Sequence, residues 1–534
     1  MKTLYPSAII LGLCFFVSSF GRYEKNDLSE IKIATYSNGQ ITNDNDRLVD
    51  KEVLNDFFER YPDFKKYQND VVLLYKNRSY GTIWYDRNKI TEFGNLLYQK
   101  LKVTDEEGIQ ITIPYENTID QIFDKKSKQK PSITDTDMLL STAYIIYMSN
   151  VYGGLDEAAV KKTGWLLPKK KISYDTLLDS LISKPTLLEV NGELLFDQYY
   201  KLQEALKKYR KIEQDNTWQP IITDIPYNDL RPDATSATIG QVRTRLFVMG
   251  DLKSDSKSNF YDQELMDGIM KYKLRNGFKP NYIISEVHIK EMNIPITDKI
   301  KTLMVNMERC RWISPNLVKD KEYIMVNIPS FELIYVRNGK VELLSKVFVG
   351  TVLTKTTIFS GSIDKIVFSP YWTIPQSIVE NELKSKIASD KNYLADHNIE
   401  MVNGQLRQKP GPSNSLGLVK FIFPNSDDIY MHDTPSKTLF DFEKRTFSHG
   451  CINMSKAKEL AVAMLKDYPE WTQERIDKAM DGTEETTFKL SSKVPIYICY
   501  FTAWVKDSGE VSFFQDVYDQ DADLDKILFP LVEI

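Results

Sequence analysis

The chain has 534 residues, a formal net charge of −5 and a sequence pI of about 5.7. Hydrophobic residues make up 42% of the chain and aromatic residues 12%, which is enough to build sizeable cores. The length alone predicts about two to four domains rather than one core. A mildly acidic chain of this kind argues against a nucleic-acid partner.

The first residues have the pattern of an export signal. Lys2 supplies a short positive segment, residues 8–20 are largely apolar, and Ser19-Phe20-Gly21 resembles a small-x-small cleavage site. The alternative is an uncleaved N-terminal membrane anchor, but the apolar run is shorter than the ~20 residues of a membrane span. We therefore expect residues 1–21 to be a signal peptide and the protein to be exported.

The next part of the chain, residues 22–235, predicts a helical scaffold domain. Apolar residues recur at helical spacing in four segments: 50–61, 90–101, 135–147 and 194–211. Polar or proline-containing stretches separate these segments.

Residues 236–297 predict a compact unit of three helices. One helix begins near Gly240, a second covers 262–272 with apolar residues on one face, and a third covers 285–292. This pattern resembles the small three-helix peptidoglycan-binding module, although Tyr272-Lys273 replaces the usual Phe-Gln pair. The alternative is a helical spacer that binds no ligand.

The pattern changes to strands after residue 322, so the fold class is multidomain α+β. Residues 323–328, 333–336 and 341–349 are rich in β-branched and aromatic residues, and Asn338-Gly339 is a hairpin signal. A polar, helix-forming stretch at 377–395 interrupts this region. The remaining predicted elements are helices at 455–467 and 473–481 and strands at 494–504 and 510–514.

Three cysteines remain after the signal, and an odd number leaves at least one free thiol. Cys310 and Cys499 lie among apolar neighbours and are expected to be buried; a disulfide between them stays open. Only Cys451 stands in a setting that indicates reactivity, because His449 and His432 lie within twenty positions of it.

Catalysis by a cysteine nucleophile requires a thiol and a nearby base, and an imidazole can be that base. Either histidine alone would be interpreted as structural. The helix predicted at 455–467 would place Cys451 just ahead of a helix N-terminus, which stabilises a thiolate. Backbone N–H groups of Gly450 and Cys451 are candidates for an oxyanion hole. The sequence contains no paired metal-ligand spacing and no phosphate loop, so we expect no metal and no cofactor.

His432, fifteen further residues and then Ser448-His449-Gly450-Cys451-Ile452-Asn453 resemble the signature of the L,D-transpeptidases, whose catalytic module is the YkuD-like domain. The chain also resembles the large periplasmic subtype of that family at residues 306–309, 311–312, 326–329, 369–375, 407–417, 419–421 and 432–435. The resemblance implies a catalytic domain over 298–520, a capping subdomain at about 376–412 and a C-terminal tail at 521–534.

The resemblance also implies a mechanism. Cys451 attacks a peptidoglycan tetrapeptide stem, D-Ala leaves, and a side-chain amine of a diamino acid on a neighbouring stem resolves the thioester to give a 3→3 cross-link. His432 is the expected general base, oriented by the backbone carbonyl of Asp433. His449 is a second active-site imidazole, and Gly450 supplies an oxyanion-hole N–H.

Other residues are expected to bind the substrate. The aromatic side chains of Tyr371, Trp372 and Tyr430 would line or support the cleft, with core packing as the alternative. Ser448 and Asn453 are further substrate-binding candidates, and Asn453 stands where the large subtype usually has Arg. The capping subdomain would exclude water and so favour aminolysis.

Several alternatives stay open on sequence alone. Water in place of the amine would make the protein an L,D-carboxypeptidase, and a free D-amino acid or a protein lysine could also be the acceptor. A non-catalytic wall-binding protein is a further alternative. The resemblance implies that carbapenems acylate Cys451 and that the location is a Gram-negative periplasm; the sequence names no protein partner.

Overall fold

The computed structural model describes residue 49 and residues 51–86, 89–189, 194–317 and 319–529. The predicted signal at 1–21 lies outside these residues, as does the end of the predicted tail, 530–534. None of the helices within the described ranges has the length and apolar character needed to cross a bilayer.

The N-terminal region is helical, as predicted. Its α-helices are Lys51–Arg60, Gln68–Lys76, Glu92–Leu101, Glu116–Phe123, Ile133–Met148, Glu157–Lys162, Tyr174–Ser183 and Asp197–Gln214. Shorter elements complete the region: helical turns at Pro62–Tyr67, Thr104–Glu107, Ser149–Gly153 and Pro185–Glu189, and strands at Tyr85–Asp86 and Lys89–Ile90. The helix Ile133–Met148 is apolar on all sides and buried from Asp135 onward, so it forms the centre of this region.

A buried carboxylate fixes that central helix to the chain before it. The side chain of Asp137 accepts hydrogen bonds from the Tyr75 hydroxyl at 2.7 Å and from the backbone N–H of Trp84 at 2.8 Å and of Ile83 at 3.0 Å. Burial raises the pKa of Asp137 to about 6 despite these donors. The region therefore holds a titratable carboxyl group inside its core.

Three helices follow at Ala237–Met249, Gln263–Arg275 and Glu286–Met292, close to the predicted segments. They enclose a hydrophobic cluster separate from the main core, which includes Ile239, Val242, Leu246, Leu265 and Ile269. That these helices bind peptidoglycan stays a prediction.

The helix Ile296–Trp312 is buried along most of its length and links the helical region to the β-rich domain. Its charged residues are paired inside the protein: Arg311 contacts Glu308 at 3.0 Å. Glu308 also accepts hydrogen bonds from the backbone N–H of Leu155 at 2.6 Å and from the indole of Trp312 at 2.7 Å. This helix was not predicted from the sequence pattern.

The C-terminal domain is built on a sheet that, within the described residues, has nine strands. They are Glu322–Asn327, Glu332–Arg337, Lys340–Gly350, Ser360–Phe368, Val419–Ile422, Met431–His432, Thr446–Ser448, Ile452–Met454 and Thr486–Cys499. Glu332–Arg337 also pairs with Lys340–Gly350, so eight of these strands are hydrogen-bonded in a closed ring. The ninth strand, Thr446–Ser448, is attached to this ring at its edge, beside Lys340–Gly350. The predicted combination of a helical N-terminal region and a β-rich C-terminal domain is confirmed.

Two predicted boundaries after the motif are wrong. The helix expected at 455–467 is Ala457–Met464, and the strand Ile452–Met454 lies between Cys451 and it. The strand expected to begin at 494 already begins at Thr486, because Thr486–Lys489 also pairs with Ser360–Phe368. The register of this pairing shifts between Lys489 and Val494. A helix at Gln473–Met480, a hairpin of Ala503–Val505 with Val511–Phe513 and a helix at Gln520–Leu528 complete the domain.

A small subdomain stands on this sheet between residues 376 and 412, where the capping subdomain is predicted; we call it the cap. Its helical part comprises Gln376–Ile378, a π-helical turn at Val379–Leu383, Lys384–Ser389 and Tyr393–Asp396. The strands Ile399–Val402 and Gln405–Gln408 form a sheet with Trp372–Thr373. The cap has its own hydrophobic cluster of Ile374, Ile378, Leu383 and Leu406.

Candidate active site

Two neighbouring parallel strands bring the predicted nucleophile and base together. Met431–His432 pairs with Ile452–Met454, with Met431 opposite Ile452 and His432 opposite Asn453. The backbone N–H of Ile452 donates to the carbonyl of Tyr430 at 3.1 Å. Cys451, which immediately precedes Ile452, is therefore held beside the residues that lead into His432.

His432 is a buried imidazole held by its own main chain. Its Nδ1 lies 2.5 Å from the carbonyl oxygen of Asp433, which is the contact that the sequence predicted. The strand itself is fixed because the backbone N–H of Asp433 donates to Val419 at 2.9 Å. Burial lowers the pKa of His432 to about 4, so the ring is neutral at physiological pH.

The turn at residues 448–451, which we call the catalytic loop, is held by internal hydrogen bonds. The Ser448 hydroxyl donates to the Cys451 carbonyl at 2.6 Å and accepts from the Gly450 N–H at 3.1 Å. The hydroxyl of Thr354 donates to the Ser448 carbonyl at 3.0 Å, and that of Thr356 donates to the Gly450 carbonyl at 2.7 Å. The loop is thus tied both to itself and to the segment after the strand Lys340–Gly350.

These bonds change the roles expected for Ser448 and Gly450. Ser448 is buried and its hydroxyl is engaged within the loop, so it braces the turn instead of facing a substrate. The Gly450 N–H is likewise engaged by Ser448, which leaves the Cys451 N–H as the oxyanion-hole candidate of the predicted pair. Gly450 has a φ of +118°, which only glycine adopts readily, so the turn itself requires this residue.

The environment of Cys451 favours the protonated thiol. The side chain is only partly exposed, and desolvation raises its pKa to about 11. The backbone N–H and the hydroxyl of Tyr430 face the sulfur and oppose this rise. The expected activation by a helix N-terminus is wrong, because the strand Ile452–Met454 separates Cys451 from the helix at Ala457–Met464.

Of the three predicted aromatic residues, Tyr430 interacts directly with the thiol. Tyr430 is partly exposed; its ring centroid is 5.7 Å from that of His432, and its hydroxyl interacts with both Cys451 and Trp372. Trp372 also packs against the hydrophobic cluster of the cap. The guanidinium of Arg407 lies over the ring of Tyr371, with its central carbon 4.0 Å from the ring centroid. Trp372 and Tyr430 therefore connect the cap to the thiol.

Asn453 is buried opposite His432 in the sheet, with 5% of its surface exposed. A substrate-binding role for so enclosed a side chain would require access that the described structure does not provide. Its backbone is nevertheless paired directly opposite the candidate base in the sheet.

His449 is on the outer side of the loop. Its side chain is 55% exposed, and its Nε2 lies 2.6 Å from Oε1 of Glu382 in the cap. Glu382 was not among the predicted site residues, because 67 positions separate it from His449 and no motif includes it. The cap and the catalytic loop thus meet through these two side chains.

The site is similar to known proteins. Residues 321–484 match the YkuD family, described as the L,D-transpeptidase catalytic domain, and residues 69–206 match a family described as the scaffold domain. The chain carries an L,D-transpeptidase catalytic domain. Cys451, His432 and His449 all lie within its matched residues, and L,D-transpeptidases form a cysteine-dependent acyltransferase family.

One curated relative and two solved structures are similar to this chain. A Haemophilus influenzae protein named "Putative L,D-transpeptidase" is 33% identical over 267 residues, which are 46% of this chain and 52% of that protein. The chain therefore spans about half the length of this curated relative. A Stackebrandtia nassauensis L,D-transpeptidase structure is 13% identical, with a TM-score of 0.21 and coverage of 52% of this chain and 95% of that one. A Mycobacterium smegmatis L,D-transpeptidase structure is 15% identical, with a TM-score of 0.20 and coverage of 33% and 58%.

Two further predictions concern other groups. Among the described residues, no cluster of three or more His, Cys, Asp or Glu side chains could hold a metal ion. Cys310 and Cys499 are buried free thiols in the described structure, so no disulfide joins them there. Burial raises the pKa of both above the ordinary range, which makes them poor nucleophiles.

Proposed function

We propose that this protein forms 3→3 peptidoglycan cross-links through a thioester on Cys451. The observation that carries the proposal is that Cys451 directly precedes the strand Ile452–Met454, which pairs with the strand of the neutral His432 inside the matched L,D-transpeptidase domain. The donor is a stem tetrapeptide, and the bond attacked joins its third residue, a diamino acid, to the terminal D-Ala. The acceptor is the side-chain amine of a diamino acid on a second stem.

The acylation step begins from a neutral pair. Because the Asp433 carbonyl only accepts a hydrogen bond, Nδ1 of His432 carries the proton and Nε2 is left to accept one. His432 takes the thiol proton as the sulfur of Cys451 attacks the donor carbonyl, and it returns that proton to the departing amine of D-Ala. The Cys451 N–H stabilises the oxyanion.

The cap favours aminolysis in this proposal. Trp372 links it to Tyr430, whose hydroxyl interacts with Cys451, and Glu382 links it to His449 in the catalytic loop. A thioester shielded from water survives until an amine arrives, so the cross-link forms in preference to hydrolysis. With a more open cap, water or a free D-amino acid would be the acceptor instead.

We further propose that the protein is exported to the periplasm and meets its substrate there. The support is the signal pattern in residues 1–21 and the location of peptidoglycan outside the cytoplasmic membrane. The helices between residues 237 and 292 would hold the wall polymer near the active site. Stem peptides are the only partners that the proposal requires.

The same thiol is proposed to react with carbapenems. These compounds contain a strained ring amide, which a cysteine nucleophile can open to a stable thioester. The intact mass after exposure should rise by the mass of one carbapenem in the wild type and stay constant in Cys451→Ala. An unchanged wild-type mass, or an equal adduct in the variant, would contradict the proposal.

The experiment that tests the function uses the purified protein with a disaccharide-tetrapeptide, and product masses are read by mass spectrometry. A cross-linked dimer that has lost one D-Ala, and that Cys451→Ala fails to make, is the expected result. Tripeptide alone would establish an L,D-carboxypeptidase. No change with a competent stem peptide would favour the non-catalytic wall-binding protein.

A further inference from the structure

One contact joins the cap to the catalytic loop next to the thiol. Oε1 of Glu382 lies 2.6 Å from Nε2 of His449, and Cys451 follows His449 by two positions. Glu382 belongs to the π-helical turn Val379–Leu383, whose last residue is buried in the cap's hydrophobic cluster. Single π-helical turns are rare and occur preferentially at functional sites. The cap therefore presents a carboxylate to the catalytic loop from a fixed position.

The contact determines which nitrogen of His449 can accept a proton. An ionised carboxylate only accepts hydrogen bonds, so Nε2 of His449 must carry a hydrogen. Nδ1 then has a lone pair, and among the described residues it has no hydrogen-bond partner. The arrangement of a carboxylate, an imidazole and a proton to be removed is that of a positioned general base.

The two imidazoles of the site differ in ways that suit two different protons. His432 is 4% exposed and held by a backbone carbonyl, so it suits the proton of the buried thiol. His449 is 55% exposed, so it suits a proton of a second substrate that arrives from solvent after D-Ala has left. The neighbouring loop offers no further titratable side chain between Ser448 and Cys451.

We propose that His449 is the base for the acceptor amine and that Glu382 is the positioning residue that orients it, so that this base is complete only when the cap is seated on the catalytic loop. The inference rests on the proposed function and adds to it a separate base for the second half-reaction. It also gives the cap an active part in the selection of an amine over water.

In the proposed step, the acyl group passes from the sulfur of Cys451 to the acceptor amine. The acceptor amine enters neutral, its nitrogen lone pair attacks the thioester carbonyl carbon, and a C–N bond forms. The nitrogen loses one proton to Nδ1 of His449, the C–S bond breaks, and its electron pair stays on the sulfur of Cys451. The sulfur regains a proton from solvent and His449 releases one, so the products are an amide and a free thiol with no net change in protons.

The Glu382–His449 pair can be broken without loss of the fold. Both side chains are about half exposed, and exposed ion pairs contribute little to stability. The cap is held independently by the pairing of Trp372–Thr373 with Gln405–Gln408 and by its own hydrophobic cluster. A change in chemistry can therefore be separated from a change in folding.

The test separates the two half-reactions. Wild-type protein and Glu382→Ala are mixed with tetrapeptide donor, and the rate of D-Ala release reports acylation. A tripeptide acceptor is then added in excess, and quenched samples are read by mass spectrometry for cross-linked and hydrolysed product. We expect acylation within about twofold of the wild type and a cross-linking rate lower by about 10- to 100-fold, with a larger share of hydrolysis.

Two matched variants sharpen the result. Glu380→Gln changes a carboxylate in the same turn that contacts Gln376 at 2.9 Å, and it should behave as the wild type. His449→Ala and the double variant Glu382→Ala/His449→Ala should both cross-link as slowly as Glu382→Ala, because the two residues act as one unit. A purely structural contact would instead lower the rates of both half-reactions to a similar extent in each of these variants.

The outcomes that overturn the inference are distinct from those that overturn the function. Normal D-Ala release with unchanged cross-linking in Glu382→Ala would overturn the inference and leave the proposed function standing. An equal loss of both half-reactions in Glu382→Ala would also overturn it. Absence of D-Ala release from the wild type would overturn the proposed function, and the inference with it.

Discussion

The ring of His432 is held by the chain that carries it, because Nδ1 lies 2.5 Å from the carbonyl oxygen of the next residue, Asp433. This contact survives any movement of the cap, since it involves no residue outside the strand end. Burial lowers the pKa of His432 to about 4 and raises that of Cys451 to about 11. The resting site therefore contains a thiol and a neutral imidazole, not a thiolate–imidazolium pair.

The first prediction concerns the reactivity of the thiol. With a pKa of about 11, Cys451 has roughly 100-fold less thiolate at pH 7 than an unperturbed thiol with a pKa near 9. The rate of alkylation by iodoacetamide should rise with pH toward a midpoint near 11. Cys451→Ala is the blank that corrects for Cys310 and Cys499. A midpoint below about 8 would contradict the prediction and would indicate an ion pair.

The second prediction concerns the acid limb of acylation. A lowered pKa means that the base form of His432 persists to lower pH, so the thiol can still be deprotonated at pH 5. The rate of D-Ala release should fall with a midpoint near pH 4 in the free enzyme. A midpoint near 6.5, the ordinary value for histidine, would show that the ring is not desolvated in solution.

The third prediction is that Tyr430→Phe makes the thiol less reactive. The Tyr430 hydroxyl faces the sulfur and lowers the pKa of Cys451, whereas the backbone N–H of the same residue stays in the variant. Loss of a hydrogen bond to the charged form should raise the alkylation midpoint and slow alkylation at fixed pH by about 10-fold. Tyr371→Phe is the matched control, since its ring stacks on Arg407 instead. Equal rates in the two variants would contradict the assignment.

The chemistry of the site was largely accessible from the sequence because its residues are close in the chain. His432, His449 and Cys451 lie within twenty positions, and the glycine at 450 marks a turn that requires a positive φ. The N-terminal helices were accessible for a related reason, since their apolar residues repeat with the period of a helix.

Other features depend on tertiary contacts that no local pattern encodes. The strand Ile452–Met454 exists because it pairs with Met431–His432 and Lys340–Gly350, and this pairing moves the helix away from Cys451. The helix Ile296–Trp312 buries charged residues, and one of them, Arg309, is paired with a distant residue, Asp521, at 2.5 Å. Glu382 reaches His449 only after the cap has folded.

The fourth prediction concerns the helical region and its buried Asp137. The pKa of this group is raised to about 6, so between about pH 4 and 6 the folded protein binds a proton that the unfolded chain has released. Asp137 therefore makes stability fall as pH rises through this window. Asp137→Asn stays neutral and can keep the acceptor for Ile83 and Trp84. Its free energy of unfolding relative to the wild type should increase by about 1–3 kcal/mol from pH 4 to 6.5. Urea unfolding at both pH values measures this difference, and a constant difference would contradict it.

The last prediction tests the anchor of the catalytic loop. Thr356 is 2% exposed; its hydroxyl accepts from the N–H of Gly350 at 2.9 Å and donates to the carbonyl of Gly450 at 2.7 Å. Valine has nearly the same shape but leaves both backbone groups unpaired in a buried place. Thr356→Val should therefore cost about 1–3 kcal/mol in the free energy of unfolding.

Thr356→Val should also slow acylation, because the turn that aims Cys451 loses its link to the strand behind it. The matched control is Thr357→Val, whose hydroxyl donates to the exposed Asp427 at 2.7 Å and whose loss should change stability by no more than about 0.5 kcal/mol. Urea unfolding gives the stability of each variant, and the rate of carbapenem adduct formation gives the reactivity of Cys451. Similar behaviour of the two variants would mean that the catalytic loop keeps its conformation without Thr356, and that its own Ser448 bonds are sufficient.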